Sequence, residues 1–332
     1  MTNIGLIGCG MWGRNLARNL AQMQVLTSVA DRNQENAEEF ATQFNVAAKP
    51  INAMLNDGNL SGIVVATSAQ SHVDLAKRIL SSGKHVYIEK PLALELADAQ
   101  EVAVVANRNN RQVMVGHLIR YHAAFIELQA QVQAGAIGIL RHIQANRLAM
   151  GRIRNTESVL FDLCPHDLSL ILALTGLEPT KVSCAGASHV TRGVVDTLAT
   201  VLGFTGGVSA TMQTCWISPY KEHRLTVSGT AGSLVFDDTK AWPEKLVLFQ
   251  DHIRPDEESF IIERASPVAL PVAESEPLKE EMQTFVDCCL TGKPVPSNID
   301  EALAVQRTLE TMQAALLDMT VIETSQHSDR TS

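Results

Sequence analysis

Asn3-Ile4-Gly5-Leu6-Ile7-Gly8-Cys9-Gly10-Met11-Trp12-Gly13 is an apolar run that passes at once into a GxGxxG pattern. A glycine turn between a strand and a helix is suited to a dinucleotide pyrophosphate. Gly8 makes the tight turn, Gly10 lets backbone approach the phosphates, and Gly13 packs helix on strand. The first helical turn, which includes Met11 and Trp12, then points its N–H groups at the phosphates. Working outward, the first 120 residues alternate short β-branched runs with helical patterns. Strands are expected over 3–7, 25–30, 63–66, 85–88 and 113–115, and helices over 10–23, 33–44, 72–82 and 94–109. Strands this short and apolar suit burial on both faces, with right-handed crossovers building a doubly wound parallel sheet.

Asp31 closes the second expected strand. A carboxylate there accepts hydrogen bonds from both ribose hydroxyls and repels a 2′-phosphate, so NAD is expected over NADP. Arg32 follows and could pair with a phosphate, and Asp31 also suits a helix N-cap.

Beyond Tyr121 the pattern changes. A helix over 123–134 and a strand over 140–148 lead into a charged loop that ends at Asp162. Several runs with glycine turns between 181 and 249 read as a large, mostly antiparallel sheet, and helices return over 278–290 and 299–319. The expected division is a Rossmann domain over 1–120, an α/β domain for substrate binding and oligomerisation over 121–322, and a disordered tail over 323–332.

Composition excludes several classes of function. Of the 332 residues, 45% are hydrophobic and 19% charged, which excludes disorder for most of the chain. A net charge of -9 without a basic face opposes nucleic-acid binding. No apolar stretch approaches the ~20 residues that span a bilayer, and the start lacks a charged segment, so a cytoplasmic protein without membrane contact is expected. The six cysteines are scattered without CxxC spacing, which points to reduced thiols rather than a disulfide framework or a metal site.

At Glu89-Lys90-Pro91, after the strand over 85–88, the chain resembles the Gfo/Idh/MocA oxidoreductases (glucose-fructose oxidoreductase, inositol dehydrogenase, rhizopine catabolism). The likeness runs through GCGMWG, Val64 to His72, Val115 to His122, and Asp162-Leu163-Cys164-Pro165-His166-Asp167. Within the family, Gly116 to Tyr121 and Arg147 to His166 are most similar to members acting on nucleotide sugars, of the UDP-N-acetylglucosamine 3-dehydrogenase type. The resemblance implies that Thr67 and His72 line the cofactor and that Glu89 and Lys90 lie beside the nicotinamide ribose. It further implies that the second sheet carries a homodimer or homotetramer interface. Thr67-Ser68 departs from the family's usual threonine-proline.

Oxidising a secondary alcohol requires a base within reach of the hydroxyl proton while hydride leaves the same carbon. Lys90 and His166 are the candidates. Imidazole cycles near neutral pH, whereas a lysine needs burial or a nearby cation before it serves as a base. The expected roles are His166 as proton acceptor, Asp162 as the carboxylate orienting it from four residues upstream, and Lys90 as the cation polarising the oxygen. Arg147, Arg152 and Arg154 precede Asp162 in an otherwise acidic chain and suit an anionic substrate group, with Arg120 and Tyr121 closing the other side. A solvated loop is the plain alternative. His117 and His122 suit either a substrate pocket or structural hydrogen bonding. The expected substrate is a sugar or nucleotide sugar, oxidised at C3 if it is a UDP-N-acetylhexosamine or its uronate. The competing functions are a non-catalytic NAD(P)-binding regulator, an inositol or polyol dehydrogenase, and the family's NAD-dependent glycoside hydrolase.

Overall fold

The computed structural model describes residues 2–151, 153–155 and 157–317. Its first half is built from strands β1 (Asn3–Ile7), β2 (Leu26–Ala30), β3 (Ala47–Ala48), β4 (Leu60–Val65), β5 (His85–Ile88) and β6 (Val113–Val115). Between them lie helices α1 (Met11–Gln22), α2 (Gln34–Phe44), α3 (Ile51–Leu55), α4 (His72–Ser81) and α5 (Leu96–Asn109). The strands form one parallel sheet in the order β3-β2-β1-β4-β5-β6. Leu6, Ile7, Val64, Val65, Val86 and Ile88 are all buried, as the apolar runs require of a sheet covered on both sides. The five expected strands and four helices form with shifts of up to three residues at their ends; β3 and α3 are additional. The strand order reverses between β1 and β4, and this switch point opens a crevice at their carboxyl ends.

The second half contributes α6 (Ala123–Gln133), β7 (Leu140–Met150), α7 (Val159–Asp162), α8 (Cys164–Thr175), β8 (Lys181–Ala187), β9 (Thr197–Gly203) and β10 (Ser209–Cys215). There follow β11 (Ile217–Gly229), β12 (Ser233–Asp237), β13 (Leu246–Phe249), the hairpin β14 (His252–Asp256) and β15 (Ser259–Glu263), and β16 (Val268–Ala269). Eight of these strands form a sheet in the order β16-β13-β12-β11-β7-β10-β9-β8, antiparallel except where β7 runs beside β10. Alternation decides which face is covered. Along β9, Leu198, Thr200 and Leu202 are buried, whereas Ala199 and Val201 point outward. The inner face packs Phe125 and Leu128 of α6 and Leu168 and Ile171 of α8 into one core.

The last two helices, α9 (Pro277–Thr291) and α10 (Ile299–Leu317), cut across the expected division. Leu278, Met282, Phe285 and Val286 of α9 belong to the same apolar cluster as Leu6 and Val29, so α9 completes the nucleotide half. α10 serves both halves: Ala302 packs with the first, and Leu309 and Met312 with the second. The expectation of a tail over 323–332 lies outside the described residues, and no described helix is long and apolar enough to cross a membrane.

Candidate active site

The glycine turn follows β1 at the switch point. Gly8 has φ +109°, and a Cβ on it would sit 2.5 Å from the Ala66 carbonyl oxygen after β4. A Cβ on Gly13 would lie 2.0 Å from the Gly8 carbonyl oxygen, which accounts for the third glycine as a packing requirement. Gly10 differs: no described atom lies within 4 Å of where its Cβ would be, so its bare face is open to an approaching ligand. Among the described residues no side chain caps α1, and its first turn keeps donors free. Asp31 is fixed at the end of β2, Oδ2 accepting the Cys9 N–H at 2.7 Å and Oδ1 the Asn33 N–H at 2.8 Å. An open glycine face, an uncapped helix start and an anchored carboxylate fit a dinucleotide. Arg32 and Met11 are exposed beside them.

A cavity of about 420 Å³ opens between the two halves. Trp12, Glu89 and Lys90 line it from the nucleotide side, and Arg147, Arg154 and His166 from the other. Lys90 is anchored: its Nζ donates to the Asp162 backbone oxygen at 2.7 Å and lies 3.4 Å from Asp162 Oδ1. Arg154 Nη2 donates to that same Oδ1 at 2.7 Å, and the buried Trp216 indole N–H to Oδ2 at 3.1 Å. Burial opposes ionising Asp162, but the Lys90 charge and the Arg154 hydrogen bond outweigh it and hold the carboxyl below its usual range.

This arrangement corrects the role expected for Asp162. It ends α7, the helix is interrupted at Leu163, and His166 stands in the first turn of α8, so no continuous helix aligns the two side chains. Asp162 spends both oxygens on Lys90, Arg154 and Trp216, while His166 Nδ1 has no hydrogen-bond partner among the described residues. Burial, followed by the Lys90 and Arg147 charges, pushes the His166 pKa well below its ordinary value. Burial and those charges favour the uncharged imidazole, and Nδ1 is left without a protein partner among the described residues.

The expected anion-binding residues are differently employed. Arg147 grips Asp167 with Nε at 3.1 and 3.0 Å from its two oxygens and Nη2 at 2.6 Å, a buried bidentate pair that neutralises the guanidinium. Arg154 is shared between Asp162 and Glu157, and Arg152 lies outside the described residues. Arg120 is buried away from the cavity, with Nε 3.4 Å from Glu301 and its guanidinium over the Phe125 ring. Tyr121 is buried as well, its hydroxyl paired with Ser297 at 2.8 Å. His117 pairs with Glu301 at 3.2 Å. Close packing rather than solvent explains these three: each sits where the 3₁₀ turn Leu118–Tyr121 after β6 meets the C-terminal part of the chain, so its polar atoms must be matched inside the protein. His72 is likewise buried behind the site, bridging the Pro91 oxygen at 2.7 Å and the Thr67 oxygen at 3.1 Å, and thus ties two loops together. Thr67 stays half-buried, its hydroxyl paired with Ser71.

Three cavity residues escaped the sequence reading: His223 on β11, Asp238 just after β12, and Glu281 on α9. None lies in a motif, and only the strand register and the return of α9 bring them here. His122 is not a pocket residue: it caps α6, stacks on Trp242 and pairs with Asp238.

Comparison with known proteins agrees with this architecture. Residues 2–117 match the model of the oxidoreductase family's NAD-binding Rossmann fold, and 125–235 that of the GFO/IDH/MocA C-terminal domain. A UDP-N-acetylglucosamine 3-dehydrogenase from Acidithiobacillus ferrooxidans is 36% identical over 56% of this chain, a match spanning 58% of that protein. A myo-inositol 2-dehydrogenase from Thermotoga maritima is 26% identical over 88% of this chain and 89% of its own length. A solved structure of the Acidithiobacillus enzyme superposes with a TM-score of 0.82 at 26% identity, covering 95% of this chain and 97% of that one. Together, the two matched domains and the crevice with its Glu89-Lys90-Pro91 edge mean that the chain belongs to the Gfo/Idh/MocA family of oxidoreductases.

Proposed function

We propose that the chain is an NAD-dependent dehydrogenase that oxidises a secondary hydroxyl of a sugar. The observation that carries this reading is Lys90 and a half-buried His166, with a ring nitrogen unpartnered among the described residues, lining one cavity beside the glycine turn. When bound, the nicotinamide supplies the hydride acceptor. A ring nitrogen of His166 takes the hydroxyl proton, and Lys90, braced by Asp162, donates a hydrogen bond to the same oxygen as charge builds on it. Asp162 therefore acts through Lys90. Asp31 supports NAD over NADP because a fixed carboxylate meets the ribose hydroxyls and repels a 2′-phosphate. Asp31→Ser is expected to narrow that preference, measured by calorimetry with both cofactors.

A nucleotide sugar is the favoured substrate, on the strength of the 36%-identical relative. A neutral polyol is the second reading, and one observation favours it: the arginines that would greet a diphosphate are already matched by Asp167, Asp162 and Glu157. NADH formation with UDP-N-acetylglucosamine and with myo-inositol decides between them. Glycoside cleavage without net NADH would replace the dehydrogenase reading with hydrolase chemistry. The outward face of the eight-stranded sheet is the surface we assign to a homo-oligomer, testable by light scattering.

A further inference from the structure

Glu281 is fully buried in the nucleotide half, yet it borders the cavity that Lys90 and Trp12 line. Its Oε2 lies 3.1 Å from the Tyr87 hydroxyl, and that same hydroxyl lies 2.9 Å from Glu89 Oε1. Glu281 Oε1 has no hydrogen-bond partner among the described residues. Glu89 also accepts the Trp12 indole N–H, which reaches it from the glycine turn. Tyr87 and Glu89 meet over Gly116, where a Cβ would fall 2.6 Å from the Tyr87 hydroxyl and 2.9 Å from Glu89 Oε2. None of the chemistry above employs Glu281 or Tyr87.

Counting hydrogens decides the protonation state. A phenol has one hydrogen to donate, and here two carboxyl groups lie within hydrogen-bond distance of it. Were both ionised, one carboxylate would face the phenol oxygen's lone pairs with no hydrogen between them, deep in the protein. One carboxyl therefore carries a proton. Glu89 has the indole N–H and the adjacent Lys90 to favour its charge, whereas Glu281 has neither.

We propose that Glu281 is a positioning residue: as a neutral acid it donates to Tyr87, committing the single phenol hydrogen to Glu89 and holding an ionised Glu89 against Trp12 and the glycine turn. Burial pushes the Glu281 carboxyl well above the usual carboxylate range, and the neighbouring Glu89 charge adds to this. Burial raises Glu89 too, but the Trp12 and Tyr87 hydrogen bonds and the Lys90 charge oppose it there. A helix from the far end of the chain would thus set the geometry between the phosphate turn and the catalytic lysine's strand. Only the cofactor-binding part of the test rests on the function proposed above.

Infrared spectroscopy of the cofactor-free protein at neutral pH should reveal the carbonyl stretch of a protonated carboxyl, and Glu281→Gln should remove it. A spectrum without that band, or a band that survives the substitution, overturns the proposal. With NAD as probe, Glu281→Gln, which keeps a neutral donor to Tyr87, should retain affinity in calorimetry. Tyr87→Phe and Glu281→Leu should weaken it about tenfold or more, as for a lost hydrogen bond to a charged group, raising KM for NAD with little change in kcat. Affinity lost equally in the Gln and Leu variants, or kept in Tyr87→Phe, would refute it. Should Glu281→Leu not fold, Tyr87→Phe and the infrared band still decide. If the wild-type protein binds no NAD, the proposed function fails, and the band alone tests the proton.

Discussion

Trp12 of the glycine turn and the trio Arg147, Arg154 and His166 line one cavity from opposite halves, and the two walls are made of different material. The turn works through backbone: Gly8 and Gly13 have no side chain because carbonyl oxygens lie 2.5 and 2.0 Å from where a Cβ would be, and Gly10 leaves a face open. The opposite wall works through charge, and its charges close on one another, Arg147 on Asp167 and Arg154 on Asp162. A backbone site keeps its donors for the ligand. A side-chain site first satisfies itself, so its net offer to a ligand depends on partners distant in sequence.

The largest expected effect sharpens this contrast at the point where the walls meet. Lys90→Ala should lower kcat by about 10²–10⁴-fold while NAD binding through the turn persists, measured by steady-state kinetics beside calorimetry. Near-native turnover would remove Lys90 from the chemistry.

Next is the self-matched wall. Arg147→Met leaves Asp167, 4% exposed, as an uncompensated buried charge and should cost about 3–5 kcal/mol of stability in denaturant unfolding. Arg154→Met removes a partly exposed guanidinium and should cost at most about 1 kcal/mol. Equal losses in the two variants would break the distinction between a structural and an accessible arginine.

On the backbone wall, Gly8→Ala forces a side chain into a φ of +109° against the Ala66 carbonyl, at about 1–3 kcal/mol of strain, with weakened NAD binding. Unchanged stability and affinity would show that the turn relaxes more easily than its contacts imply.

The smallest effect concerns pH. His166 and His223 both have pKa values lowered by burial, with the Arg147 charge contributing to each. Between the lowered values and the ordinary 6.5 the unfolded chain binds more protons than the folded one, so stability is fully present above 6.5 and lost as pH falls below it. His166→Gln should flatten that acid loss in thermal unfolding at stepped pH. A slope identical to wild type would mean that folding leaves the His166 pKa unshifted.

The parallel sheet was legible because each of its strands is a buried apolar run bounded by its own helix, a pattern local enough to read residue by residue. The positions of the glycine turn after β1 and of Asp31 after β2 were legible for the same reason. Asp162 misled because a spacing of four residues implies a shared helical face only when the helix is continuous, and here it breaks at Leu163. The pairings of Arg120, Tyr121 and His117 were not legible because their partners, Glu301 and Ser297, lie more than 170 residues away in the chain. His223, Asp238 and Glu281 left no local trace at all, since register and packing alone carry them to the cavity.

Gly62, in the middle of β4, is bare because a Cβ there would strike Cys289 Sγ at 2.5 Å and the Phe285 ring at 2.9 Å, both on α9. This contact has a consequence for how the protein is made. A ribosome synthesising the chain releases every strand of the nucleotide half long before it releases α9, so β4 emerges with one face uncovered and must wait for most of the second half before its lid exists. The nucleotide half is first in sequence but cannot be first to finish folding. During that interval its apolar face is the surface on which a chaperone, or a neighbouring nascent chain, would settle.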